Sequence, residues 1–232
     1  MAQLKPLKAI AFDLDGTLID SVPDLAAATN ATLDELNLTG CSEEQVRTWV
    51  GNGAHVLIER ALNFALGEAV EAQRLEAAMP IFMKHYEAHL QRHSKLYDGV
   101  LNVLEQLHSM GYQLAVVTNK PYRFTIPLLD AFGIGHLFTQ VLGGDSLDKM
   151  KPDPLPLNHL LQQWQLDKTE LLMVGDSKND ILAAKAAGIS SIGLTYGYNY
   201  GEDIGLSGPT AVCDTFSEVL AHINDSQKVM EQ

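Results

Sequence analysis

The chain has 232 residues, 46% of them hydrophobic, and a formal net charge of −13. That is enough apolar sequence to bury a core in one large or two small domains. The acidic balance argues against nucleic acid or an anionic membrane as partner, since both call for a basic surface, but not against a small anionic ligand, which meets only the local field. No run of about 18 uncharged apolar residues is present to span a bilayer. Cys41 and Cys213 lie far apart and in no metal or redox spacing, so they read as reduced thiols of a cytoplasmic protein. The opening stretch, residues 1–8, runs straight into the first apolar segment, and no signal peptide is expected there.

That first segment, Ala9-Ile10-Ala11-Phe12, predicts a short buried strand, and Asp13-Leu14-Asp15-Gly16-Thr17-Leu18 follows it. Gly16 supplies the turn, so both acids sit at the strand's carboxyl end, where an open α/β sheet places its chemistry. One carboxylate can attack phosphorus while the other moves protons, and together they can hold a hard ion such as Mg²⁺. The plain alternative is an acidic helix cap before a turn. The rarity of this hexapeptide at average composition favours the functional reading.

Apolar residues at helical spacing then predict helices over 24–36, 43–50, 54–66 and 69–90. A parallel sheet needs one crossover helix at this point, so the excess predicts a separate helical cap over 20–94, inserted into a core of 1–19 and 95–232. The linkers would be 19–21 and 95–98. Within the cap, Val50-Gly51-Asn52-Gly53-Ala54 leaves backbone N–H groups free at a helix start, suited to a carboxylate or phosphate, unless it is only a turn. His85, His89 and His93 recur on one helix side; a solvated face shared with Lys84 and Arg92 is the expectation there, over a Zn²⁺ or Ni²⁺ site.

From Gly99 the pattern alternates: helix 100–110, strand 113–118, helix 124–132, strand 139–143, helix 155–164, strand 171–175, helix 179–187, strand 191–194, then strand 211–213 and helix 216–223. Residues 224–232 read as a polar, frayed tail. Three of these segments end in chemistry. Strand 113–118 closes on Thr118, with Asn119 and Lys120 beyond it. Lys151 opens Lys151-Pro152-Asp153-Pro154. Strand 171–175 runs into Asp176-Ser177-Lys178-Asn179-Asp180. If the strands are parallel, these tips converge with Asp13 and Asp15 on one edge. A phosphoryl group in transit spreads negative charge over its oxygens, so Thr118 can donate to it and Lys151 can neutralise it. Asp176 can bind the ion, and Asp180, one helical turn on, can bind its waters or hold Lys151. The loop Tyr196-Gly197-Tyr198-Asn199-Tyr200-Gly201 is placed to wall the cleft.

These four segments resemble the four motifs of the haloacid dehalogenase superfamily of phosphatases, over nearly the whole chain. The resemblance implies an α/β, Rossmann-like core with an inserted all-helical cap. It makes Asp13 the nucleophile and Asp15 the general acid/base, with Thr118 and Lys151 binding the phosphoryl group. Mg²⁺ would be held by Asp13, Asp15, Asp176 and Asp180. More narrowly, 48–53, 118–121, 175–180 and 194–202 resemble the bacterial phosphoglycolate phosphatases, which implies 2-phosphoglycolate as the small anionic phosphomonoester. Thr17, Gly51, Asn52, Gly53, Asn119 and Lys120 are then the candidate substrate contacts. The spacing Lys151-Pro152-Asp153-Pro154-Leu155-Pro156 is shorter than the form common in that group, which bears on loop shape rather than on the lysine. A β-phosphoglucomutase-like phosphotransferase, a broad small-metabolite phosphatase, a haloacid dehalogenase and a non-catalytic phosphate-binding module remain alternatives, and monomer or dimer stays open.

Overall fold

The structure, a computed structural model, describes residues 7–228. The expectations for residues 1–6 and for 229–232 fall outside it, and residues 224–228, expected in a frayed tail, continue the last helix instead. Strand β1 (Ala9–Phe12) shows why the sheet is covered on both sides. Ile10 and Phe12 face one core and Ala9 and Ala11 the other, the two-residue period of an extended chain, and all four are fully buried. On the Ile10/Phe12 side, Phe12 packs against Phe138 and Phe216 at centroid distances of 6.4 and 5.8 Å. The alanine side leaves room for close-packed helices.

Six strands form one parallel sheet. β4 (Gln113–Val117) and β6 (Leu171–Gly175) flank β1, β5 (Gln140–Leu142) lies outside β4, and β7 (Ser190–Leu194) and β8 (Ala211–Cys213) lie beyond β6. β2 (Ile19–Asp20) and β3 (Lys95–Leu96) form a separate antiparallel pair. Helices α5 (Val100–Ser109), α6 (Tyr122–Ala131) and α9 (Phe216–Lys228) contribute to the Ile10/Phe12 core. Helices α7 (Leu155–Gln163) and α8 (Lys178–Ala187) bring Leu157, Leu160, Ala183, Ala184 and Ala187 onto the alanine side. The carboxyl ends of β1, β4 and β6 are adjacent, so the loops after them share one edge.

The remaining helices, α1 (Val22–Glu35), α2 (Glu43–Trp49), α3 (Gly53–Leu66) and α4 (Ala72–His89), share their own hydrophobic cluster, joined by Phe124 of α6 and Tyr198 of a core loop. α1 starts earlier than predicted because Pro23 in its first turn already has helical φ. α4 starts later: α3 stops at left-handed Gly67, and Val70 N–H donates to Asn63 Oδ1 at 2.6 Å, holding the link as a turn. No helix among the described residues is long and apolar enough to cross a membrane.

Two expectations change. The segments read as linkers are partly strand, since Ile19 pairs with Leu96 and Asp20 with Lys95. Buried Asp24 fastens the return crossing by accepting from His93 N–H at 2.9 Å and from Ser94 N–H and Oγ at 2.8 and 2.6 Å. The three histidines do not share one helix side, because α4 ends at His89 and His93 lies beyond it. His85 Nε2 meets Glu35 Oε2 at 2.7 Å and His89 Nδ1 meets His85 O at 2.7 Å, so these rings are engaged locally.

Candidate active site

The turn after β1 is drawn tightly against the β6 loop. Gly16 has φ +91, and a Cβ there would lie 2.3 Å from Asp176 Oδ2, so glycine is required both for the conformation and for the approach. The turn presents two carboxylates with different partners. Asp13 Oδ1 accepts from Leu14 N–H at 2.7 Å and pairs with Lys151 Nζ at 2.9 Å. Asp15 accepts from Ser21 Oγ at 2.6 Å and holds Lys120 Nζ through both oxygens, at 3.0 and 3.1 Å.

Lys151 lies between two acids, with Asp180 Oδ1 2.6 Å from its Nζ. Asp180 in turn accepts from Ser177 N–H and Oγ at 3.0 and 2.9 Å at the start of α8. The short proline spacing therefore still delivers the lysine, through a loop in which the Lys151-Pro152 bond is cis. Burial alone would lower the Lys151 pKa, but Asp13 and Asp180 outweigh it and hold the ammonium above its ordinary value. Lys120 behaves alike, with Asp15 and Tyr86 outweighing the effect of burial.

One oxygen each from Asp13, Asp176 and Asp180 lies within 4.8 Å of the others, and all three residues are buried. Burial raises Asp13 to about 7 even beside the Lys151 ammonium, and it pushes Asp176 well above the carboxylate range, with Asp13 and Asp180 adding repulsion. A set of crowded oxygen donors that resists ionising together is relieved by a hard divalent cation, so these residues fit such an ion. Thr17 Oγ1 and Tyr198 N–H orient the Asp176 oxygens, each at 2.6 Å.

Above the acids is a cleft between the sheet edge and the helical layer. Asp13, Asp15, Thr118, Asn119 and Lys120 line it from the sheet, and Gly51, Gly53, Leu57, Phe82 and Tyr86 from the helical layer. Among the described residues Lys120 is the one cation in that lining. Its Nζ bonds the Tyr86 hydroxyl and sits 4.7 Å from the centroid of that ring. The Tyr86 ring stacks on Phe82 and meets Phe124 edge-on, at 5.5 and 5.0 Å, and burial raises its hydroxyl pKa to about 12. The wall is thus apolar with one fixed positive charge. Gly51 and Gly53 have φ of +118 and +83. Asn52 stands at the start of α3 without capping it through its side chain.

The structure gathers most of the sequence-predicted residues on this edge, and it gives three of them partners that the sequence did not indicate. The Asp15 carboxylate is not in the acid cluster, because β1 has ended by Phe12 and the turn aims Asp15 at Lys120. Thr17 is fully buried and its hydroxyl is engaged by Asp176, so it holds an acid instead of facing a substrate. Asn119 donates its amide to the carbonyls of Gly51 and Lys151, both at 2.9 Å. Its Oδ1 is buried without a hydrogen-bond partner among the described residues. Sequence reading missed Ser21, Phe82, Tyr86 and Asn179. The spacing of Phe82 and Tyr86 is that of any core-facing helix side, and only their position opposite Lys120 sets them apart.

The family model of haloacid dehalogenase-like hydrolases matches residues 10–194. A phosphoglycolate phosphatase of Colwellia psychrerythraea is 48% identical over 223 residues, covering 94% of this chain and 97% of the relative. One from Vibrio parahaemolyticus is 50% identical over 220 residues, covering 92% and 95%. The crystal structure of a predicted phosphoglycolate phosphatase from Haemophilus somnus superposes with a TM-score of 0.90 at 45% identity, covering 93% of this chain and 97% of its own. With a profile match that takes in all four loop motifs and relatives this similar end to end, the chain belongs to the haloacid dehalogenase-like hydrolase family.

Proposed function

We propose that the protein is a Mg²⁺-dependent phosphomonoesterase that hydrolyses 2-phosphoglycolate to glycolate and phosphate, with α1 to α4 acting as a cap over the cleft. The observation that carries this reading is the pairing of a phosphoryl-transfer constellation with a cleft whose helical wall is apolar and whose lining holds one cation, Lys120, at Asp15. Relatives of 48% and 50% identity carry the phosphoglycolate phosphatase name.

Asp13, half of an ion pair and open to the cleft, attacks phosphorus in line and becomes an aspartyl-phosphate. Asp15 gives a proton to the leaving glycolate oxygen and then takes one from the water that hydrolyses the phosphoenzyme. Lys151 and the Thr118 hydroxyl offset charge on the phosphoryl oxygens, and Asp180 keeps the lysine aimed. Asp13, Asp176 and Asp180 would hold Mg²⁺, which when bound supplies further neutralisation of phosphoryl charge. The cap side excludes bulk water and limits the leaving group to a short one. Lys120 pairs with the substrate carboxylate, assisted by the backbone N–H groups around Gly51-Asn52-Gly53.

The direct test is phosphate release across a panel of small phosphomonoesters. The proposal expects 2-phosphoglycolate to be preferred, and preference for a sugar phosphate would sink it. Lys120→Met should lower kcat/KM for 2-phosphoglycolate by on the order of 10²-fold while an aryl phosphate, which carries no carboxylate, loses less, because a carboxylate left unpaired in a closed cleft is costly. Equal losses on both substrates would mean that Lys120 does not read the carboxylate.

The ion has a test apart from turnover. Mg²⁺ added to chelated protein should raise the thermal midpoint, because it binds the folded state alone. Asp176→Asn should shrink that rise and cripple phosphate release. An unchanged rise in the variant would place the ion elsewhere.

A further inference from the structure

One densely tied contact between the helical layer and the sheet edge is made by no predicted catalytic group. It centres on the carbonyl of Gly51, just ahead of α3. That oxygen accepts from Asn119 Nδ2 at 2.9 Å, reaching out from the β4 loop, and from Asn179 Nδ2 at 3.1 Å, on α8. The same Asn179 amide donates to the Tyr200 hydroxyl at 2.9 Å, and Tyr200 donates onward to Asn52 Oδ1 at 2.5 Å. Two further features show that this junction is built. Gly51 has φ +118, and a Cβ on it would lie 2.6 Å from the Tyr200 hydroxyl, so the approach needs glycine. Tyr200 has φ +55, a left-handed backbone that a tyrosine adopts only when its surroundings dictate it. Two cations lie over its ring, the Arg60 guanidinium of α3 at 5.5 Å and the Lys178 ammonium of α8 at 5.0 Å from the centroid.

We propose that Tyr200 and Asn179 are positioning residues that latch the Gly51-Asn52-Gly53 loop onto the core and so close the cleft. The wiring gives the latch a meaning for the reaction. Asn119 shares one amide between the Gly51 and Lys151 carbonyls, so the loop docks on the same side chain that steadies the chain at the phosphoryl-binding lysine. Asn179 lies in the first turn of α8 between Asp176 and Asp180, so the loop also docks on the helix that carries an acid of the cluster. A loop seated on both closes over a complete set of groups, and a loop released from both admits water and substrate. The inference rests on the cap reading above, but not on the identity of the substrate.

Tyr200→Phe tests it, since the ring can keep its contacts with Arg60 and Lys178 while the hydroxyl and its two bonds are lost. Amide hydrogen exchange across residues 50–57 should speed up by tenfold or more in ligand-free protein, with β6 and β7 unchanged. For the panel substrate that wild type prefers, KM should rise and kcat/KM should fall by about tenfold or more, with kcat falling less. Asn52→Ala removes the same bond from the loop side and should reproduce both effects, which guards against a fault specific to the tyrosine site. Asn179→Ala combined with Tyr200→Phe should cost less than the sum of the single losses, because both act on one junction. Unchanged exchange at 50–57, faster exchange in that loop with unaltered kcat/KM, or an increase shared equally by β6 and β7 would each overturn the latch. If wild type ignores 2-phosphoglycolate, the substrate reading fails while the exchange experiment still decides this one.

Discussion

Asp13→Asn is expected to release no phosphate above background, a loss on the order of 10⁴-fold or more, and to form no phosphoenzyme. The variant keeps the shape of the site: an asparagine oxygen can still accept from Leu14 N–H, which holds Asp13 Oδ1 at 2.7 Å. It lacks a nucleophilic carboxylate. Acid-quenched mass spectrometry should find one added phosphoryl group on the wild-type peptide containing residue 13 and none in the variant. Asp15→Asn gives the contrast. It should accumulate the phosphoenzyme from an aryl phosphate, whose leaving group needs no proton, and then stall, because no base activates the water. A phosphoryl group found on a histidine or serine instead would end the aspartyl-phosphate mechanism.

Lys151→Met is expected to fail in two separable ways. Phosphate release should fall by on the order of 10²–10³-fold, since the ammonium that meets phosphoryl charge is gone. The folded protein should also weaken, because Lys151 is 2% exposed and touches both Asp13 and Asp180. Removing one member of a buried ion pair typically costs about 3–5 kcal/mol, part of which protonation can recover here. The sign with pH follows. Burial already lifts Asp13 to about 7, above its unfolded value, and losing the ammonium lifts it further. Folded wild type and folded variant both hold that proton below about 7, and the variant alone keeps it above, so the variant's deficit against wild type grows as pH rises past about 7 and shrinks below it. Thermal midpoints of chelated protein at pH 5 and pH 8 measure this. Equal deficits at both would mean that the carboxylates are not what Lys151 steadies.

The sequence alone determined the parts whose signal is local. The buried strands announce themselves as short apolar runs, and acids, a threonine and a lysine stand just past the strands or their turns. Such spacing survives in one dimension because each strand tip is only a few residues of chain. The family match over residues 10–194 spans those same stretches. Helix starts moved where a single residue overrode the period, as with Pro23 in α1 and the Asn63 bond to Val70 ahead of α4.

What only the tertiary structure decided is which of these groups face one another. Asp15 turns away from the acid cluster to Lys120, and the pair is separated by 105 positions. Tyr86 reaches that same lysine from α4, and nothing in its helical spacing distinguishes it from an ordinary core tyrosine. The segments at Ile19–Asp20 and Lys95–Leu96 are too short to read as strands until they lie side by side. Tyr200 meets Asn52 across 148 positions, through a left-handed backbone that no apolar period encodes. Periodicity reports the environment along one element. Charge pairing, hydroxyl contacts and the closure of a loop depend on elements meeting, and those meetings are set by packing between segments distant in sequence.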